Sequence, residues 1–169
     1  APLESIAIDS NDIIWIGTLG GGLDKFDPVT GKFTHFRHNP NDPGSLAHDT
    51  VAAILVDHEN NVWIGTYRGL DKYDRKTEKF IHHAYNKNDP HSISSNQVRA
   101  IYEDRQGTIW VGCGSPFPNE NRSPGGLNRF NRTTGKFTRY LHDANNPNSI
   151  SNNKVRALLE DSKGNFWVA

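Results

Sequence analysis

The chain has 169 residues, with 19 Lys plus Arg balanced by 19 Asp plus Glu, so its formal net charge is zero. That length suffices for one ordinary domain with a sizeable core, and the balanced charge supplies no electrostatic drive toward nucleic acid or an anionic membrane. No run approaches the roughly 20 apolar residues of a membrane helix, and aromatics recurring at regular places argue against disorder.

The first predicted elements already contain the phrase that organises the chain. Ile14-Trp15-Ile16-Gly17-Thr18 is followed by Gly22-Leu23, then by apolar-alternating runs at Leu23 to Phe26 and Phe33 to Phe36. The phrase returns as Val62-Trp63-Ile64-Gly65-Thr66 with Gly69-Leu70, as Ile109-Trp110-Val111-Gly112-Cys113 with Gly126-Leu127, and as Phe166-Trp167-Val168-Ala169. All 4 tryptophans occupy this slot. Their spacing, near 50 residues and without helical periodicity, is that of a propeller blade per repeat.

The second copy shows the expected blade most fully. Val51 to Val56 is a short apolar run suited to a strand buried on both faces. Asp57 to Asn61 is a tight turn, and its counterparts at 104–107 and 161–164 put Gly where a positive φ is needed. Val62 to Tyr67 is a second strand, Leu70 to Tyr73 a third, and Phe80 to Tyr85 a fourth. The third copy continues with Leu127 to Phe130 and Phe137 to Tyr140. A polar Asn/Pro/Asp/Ser loop follows each fourth strand, with one apolar residue (Leu46, Ile93 or Ile150) expected to plug a gap between blades. Asp49, Asn96 and Asn153 recur just before the first strands and are expected to cap a turn. No helix is predicted.

The expected fold is therefore all-β: residues 1–169 form a partial β-propeller of about three and a half four-stranded antiparallel blades, an incomplete ring. The blades run 5–38, 51–86 and 98–142, with a half-blade at 155–169. An open blade face would be apolar, so the remaining propeller blades, a homodimer partner, or both are expected to cover it. The chain opens and stops inside its pattern and holds no Met, which suggests a segment of a longer protein.

The phrase Asp104-x-x-Gly107-x-Ile109-Trp110-Val111-Gly112, continued by Gly125-Gly126-Leu127-x-Arg129-Phe130-x-x-x-Thr134-Gly135-x-Phe137, resembles the two-component regulator propeller repeat. The loop Asn39 to Leu46 and the strand Val51 to Asp57 are similar to the same family. The resemblance implies seven-bladed propellers in the periplasmic sensor region of hybrid histidine kinase/response regulator proteins, many of which detect oligosaccharides. It implies a periplasmic location, and membrane attachment only through the full-length protein. The signalling parts lie outside this segment. Three departures are local: Thr77-Glu78 replaces the Thr-Gly pair in the second copy, Cys113 replaces the usual Thr, and the third copy carries a long insertion at 113–125.

Up-down connectivity puts the second-to-third and fourth-to-first connections on one face, and these include the long loops. Binding groups concentrate on such loops. The candidate ligand residues there are Tyr67, Arg68, Phe117, Asn119 and Arg122, with Arg99 and Arg156 near the starts of inner strands. Aromatic rings stack on sugars, planar polar groups bond hydroxyls, and arginines would pair bidentately with a sugar acid. The competing reading is that exposed Arg and Asn side chains are simply solvated. Trp15, Trp63, Trp110 and Trp167 are assigned to the repeat core rather than to sugar stacking.

Enzyme chemistry finds little support. His82 and His83 are adjacent on a strand and point apart, so they cannot share a metal. The eight histidines are read as not recurring at one repeat position, and Cys113 as a buried inert thiol. No cofactor or metal is expected. The alternatives to oligosaccharide sensing are an interaction and dimerisation scaffold without a small ligand, and a propeller-based lyase or hydrolase.

Overall fold

The computed structural model describes residues 1–115 and 125–169, and all of its regular elements are strands. The chain divides into two units, Ala1–His82 and His83–Ala169. Phe117, Asn119 and Arg122 lie outside the described residues.

The first unit holds two sheets. The strands β1 (Leu3–Ile8), β2 (Ile14–Thr18), β3 (Leu23–Asp27) and β4 (Lys32–Phe36) form one antiparallel sheet in sequential order. The strands β5 (Val51–Val56), β6 (Val62–Thr66), β7 (Gly69–Asp74) and β8 (Lys79–His83) form the next in the same order. The tight turns carry left-handed residues, at Asp12 (φ 60) and Asn60 (φ 62) between first and second strands. Short polar Asn and Asp tolerate that conformation where other repeats use Gly.

The two sheets share one core. Trp15, Leu23, Leu46, Val51, Val62, Ile64, Tyr73 and Phe80 are buried together. Trp15 meets Tyr73 edge-on at 4.9 Å, and Phe36 meets Phe80 at 5.4 Å. Burying rings of this size removes about 150–250 Å² each from water, so this cluster is the main cohesive force between the sheets. The glycine of the repeated phrase is explained by the same packing. A Cβ on Gly17 would lie 2.6 Å from a Val51 methyl, so only glycine lets the next first strand approach.

The second unit holds the four-stranded sheet of β9 (Val98–Glu103), β10 (Ile109–Cys113), β11 (Gly126–Asn131) and β12 (Lys136–Tyr140). A two-stranded sheet of β13 (Leu158–Glu160) and β14 (Phe166–Val168) follows. The glycine contact repeats here, with Val155 2.7 Å from a Cβ placed on Gly112. These are the antiparallel blades of a partial propeller.

Leu46 and Ile93 are fully buried, as the gap-filling reading requires, and Ile150 is half-buried. Trp15 and Trp63 are core residues and Trp110 is half-buried, but Trp167 is 59% exposed and departs from the core expectation. Among the described residues its sheet has two strands, β13 and β14.

Candidate functional site

Each tryptophan is stapled by an aspartate six residues before it. Asp9, Asp57, Asp104 and Asp161 accept the indole N–H of Trp15, Trp63, Trp110 and Trp167 at 3.1, 2.9, 2.7 and 3.0 Å. The other carboxylate oxygen accepts backbone N–H groups of the turn, as at Asn11 and Ile13 for Asp9. Sequence reasoning placed Asp57, Asp104 and Asp161 in turns and missed the indole bond, although the spacing is visible in every copy. Burial works to raise the pKa of Asp9, but the bonds from Trp15 and from the Arg75 guanidinium outweigh it and hold the carboxyl below its ordinary value. A carboxylate engaged in this way is structural.

The long Asn/Pro loops close on themselves. In the first, Ser45 Oγ accepts the Asn39 N–H and donates to the Asn39 carbonyl, while Asn39 and Asp42 side chains accept N–H groups two residues on. The same bonds recur at Asn86/Ser92 and Asp143/Ser149. Asp49, Asn96 and Asn153 accept the N–H of His38, Tyr85 and His142, each at 2.7 Å, which ties the end of the fourth strand to the start of the next first strand. This rigid edge carries the candidate site.

In the first unit, four side chains from that edge converge. Arg68, exposed in the turn between β6 and β7, places Nη1 3.4 Å from His38 Nε2. The Arg68 N–H is held by Thr66 Oγ1, whose own hydroxyl donates to the Gly69 carbonyl, so the turn is fixed from inside. Tyr67 is half-buried, and its ring lies 6.1 Å from the His48 ring at an interplanar angle of 24°. His48 titrates below the ordinary histidine value, first because it is partly buried and then because the Arg68 charge is close. Tyr67 and Arg68 are thus brought together with two histidines that the sequence reading did not select.

The histidines correct that reading. His38 and His142 occupy one repeat position, with Tyr85 between them, and each points Nδ1 at a backbone carbonyl (Leu46 at 2.9 Å, Ile150 at 2.8 Å). His35 and His82 likewise share a position, facing Asp24 and Asp71. The recurrence was present in the sequence as a residue repeated in two of three copies.

In the second unit, Arg99 is half-buried on β9 and Arg156 is exposed just before β13. Arg99 sits at a bulge, where the register of β9 against β10 shifts past Gly112/Cys113. Bulges re-aim side chains near sites, but β1 and β5 carry the same bulge, so it belongs to the blade rather than to Arg99. Cys113 is fully buried, and burial pushes its thiol up to about 12, out of the nucleophilic range.

Two open grooves lie at the opposite, short-turn edge. One of about 250 Å³ is lined by Asn61, Lys72 and Arg75 among others, and one of about 300 Å³ by Gly107, Arg129 and Arg132. Neither contains a residue selected from the sequence. Among the described residues, no cluster of three or more His, Cys, Asp or Glu is placed to hold a metal ion.

The family described as SMP-30/Gluconolactonase/LRE-like region matches residues 4–169. A stretch of 61 residues, 36% of this chain, is 32% identical to histidine kinase P4 of Formosa agariphila and spans 4% of that protein. Among solved structures, an extracellular domain assigned to the hybrid two-component system BT4673 of B. thetaiotaomicron aligns over 99% of this chain and 26% of that one, at a TM-score of 0.52 and 18% identity. A catalytically inactive virginiamycin B lyase from Staphylococcus aureus aligns over 99% of this chain and 48% of that one, at 0.63 and 18%. At such identities the likeness is one of fold. This chain spans less than half the length of each of these proteins.

Proposed function

The chain belongs to the SMP-30/gluconolactonase/LRE-like family, and we infer that its role is sensing. In this reading the blades are an extracytoplasmic, periplasmic segment of a hybrid two-component signalling protein. They detect an oligosaccharide, and the signal passes through dimerisation to a histidine kinase outside residues 1–169. The segment itself performs no reaction. The observation that carries the reading is the convergence of Arg68, His38, His48 and Tyr67 on the rigid long-loop edge. A flat aromatic pair beside fixed donors is the composition a sugar ring and its oxygens need. The BT4673 extracellular domain and the kinase of Formosa agariphila supply the signalling context. Calorimetry of the full-length protein against an oligosaccharide panel tests it, and silence across a broad panel sinks it.

A second reading, an interaction scaffold without a small ligand, has its own observation. Leu3, Ile6 and Ile8 on β1 are 72, 66 and 60% exposed, and Trp167 is 59% exposed. Apolar side chains grouped on one strand mark a surface that something covers. If charged substitutions at Ile6 and Ile8 abolished signalling and substitutions at Arg68 left it intact, this reading would replace the first. The shared fold of the virginiamycin B lyase favours an enzyme only by analogy of architecture.

A further inference from the structure

Arg68 is set apart by what it does not touch. Of the arginines in the first unit, Arg37 lies 3.6 Å from Asp24 and Arg75 lies 2.8 Å from Asp9. Arg68 meets no carboxylate among the described residues. Its side chain meets only an imidazole, 3.4 Å away at His38 Nε2. The protonation of that imidazole follows from its other nitrogen. His38 Nδ1 is 2.9 Å from the Leu46 carbonyl oxygen, which can only accept, so Nδ1 carries the proton. Nε2 then presents a lone pair to the guanidinium and fixes its plane without neutralising it.

His48 is set the opposite way. The Thr50 N–H donates to His48 Nδ1 at 2.9 Å, so the proton of the neutral ring sits on Nε2 as a donor. Asp49, the carboxylate adjoining the cluster, is already used by the His38 N–H at 2.7 Å. The edge therefore offers a positive planar fork, a second N–H donor, and the Tyr67 ring stacked with His48. A two- or three-oxygen anion fits the fork bidentately, and a sugar ring fits the aromatic face.

We propose that Arg68 anchors the anionic group of a saccharide, a uronate carboxylate or a sulfate ester. His38 acts as a positioning residue that orients the guanidinium, and His48 Nε2–H is the second donor. This rests on the sensing reading for the saccharide and goes beyond it in assigning the charge. Because Arg68 is exposed, the interaction weakens as ionic strength rises.

The test is calorimetry of the full-length protein with three tetrasaccharides: a neutral galactan, an oligogalacturonate and a sulfated galactan. The expected result is that one anionic probe binds about tenfold or more tighter than the neutral one. Arg68→Gln removes that preference, with circular dichroism unchanged. Preference for galacturonate over sulfated galactan, or the reverse, identifies the source of the anion. His38→Phe weakens the anionic probe severalfold, and His38→Gln, which keeps an acceptor, restores most of the loss. Equal binding of neutral and anionic probes, unmoved by Arg68→Gln, overturns the anion assignment and leaves the sensing reading standing. Binding of no saccharide at all overturns both. Equal behaviour of His38→Phe and His38→Gln removes the positioning role alone.

Discussion

Two loops of nearly the same sequence are fastened by different chemistry. In the first unit, the loop 39–47 is clasped by Asp71 and His82. Asp71 is fully buried; one oxygen lies 2.7 Å from His82 Nδ1 and the other accepts the Ala47 N–H at 2.8 Å. His82 Nε2 lies 2.9 Å from the Pro43 carbonyl. Both ring nitrogens face acceptors, so both want protons, and the clasp is an imidazolium–carboxylate pair. The bond to Asp71 raises the His82 pKa against the opposing effect of burial. In the second unit, the loop 86–94 is clasped by Asn128 and Arg139 at the equivalent positions. Asn128 Oδ1 accepts the Ser94 N–H at 2.8 Å, and its Nδ2 donates to Ser94 Oγ and the Val111 carbonyl. Arg139 leaves that partner alone and bonds the Ser92 and Asp89 carbonyls, both at 2.7 Å. The residues change together: a buried acid goes with a titratable cation, and a neutral amide goes with a permanent one. What the repeat preserves is a satisfied loop, not a residue.

The largest effect should come from removing the acid. Asp71→Ala leaves His82 and the Ala47 N–H without their shared partner, which costs about 3 kcal/mol, the low end for a broken buried pair because the imidazole is a third exposed. Asn128→Ala removes a neutral amide and costs about 1–3 kcal/mol. Denaturant unfolding of the full chain measures both, and equal losses would mean that the two clasps are energetically the same device. The pairing itself is broken next. His82→Arg alone and Asp71→Asn alone each cost about 1–3 kcal/mol, whereas the double change, which copies the second unit, falls within about 1 kcal/mol of the parent. Additive losses would show that the pair is not exchanged as a unit.

The pH response separates the clasps further. A histidine whose pKa is raised by folding contributes stability that is fully present below its ordinary value of 6.5 and lost as pH rises through the folded value. His48 acts in the opposite sense, since burial and Arg68 lower its pKa and its penalty appears as pH falls below 6.5. Subtracting the profile of the Asp71→Asn/His82→Arg chain from that of the parent cancels His48. The difference should be flat from about pH 5 to 6 and fall above 6.5, and hydrogen exchange should place the change in Ala1–His82. A flat difference at all pH values would mean that His82 is not an imidazolium in the fold.

The architecture was legible because its signals are local. Period-two strands, a tryptophan every blade and turn glycines at 107 and 164 (φ 77 and 84) predict the sheets, with strand ends displaced by one or two residues. The aspartate-to-indole staple could have been read from its constant spacing. Half of the cluster, Tyr67 and Arg68, was legible as an aromatic and a cation on a short turn. His38 and His48 were not, because their roles depend on which ring nitrogen meets Leu46, Thr50 or Arg68. Those contacts join two sheets and exist only after packing. The exchange of Asp71 and His82 for Asn128 and Arg139 was open to reading, but as two substitutions, since nothing in one dimension says that the four positions face one another.

The smallest expected effect concerns the turn before the fourth strand, where the units differ again. Glu78 holds a left-handed backbone at φ 55, where Gly135 sits at φ 69 in the second unit. A side chain costs roughly 1–2 kcal/mol in that conformation, so Gly135→Glu should destabilise by about 1 kcal/mol. The reverse change is not its mirror image. Glu78 accepts from the Tyr73 hydroxyl at 3.4 Å and lies 3.8 Å from Lys25, and Glu78 follows burial as a cause of pushing the Tyr73 phenol up to about 12. Glu78→Gly relieves the strain but gives up those contacts and gains roughly 0.4–1 kcal/mol of unfolded-state entropy to lose on folding. The opposing effects leave Glu78→Gly within about 0.5 kcal/mol of the parent in urea unfolding. A clear gain for Glu78→Gly would mean that the Tyr73 and Lys25 contacts contribute nothing, and that the first unit tolerates the strain without compensation.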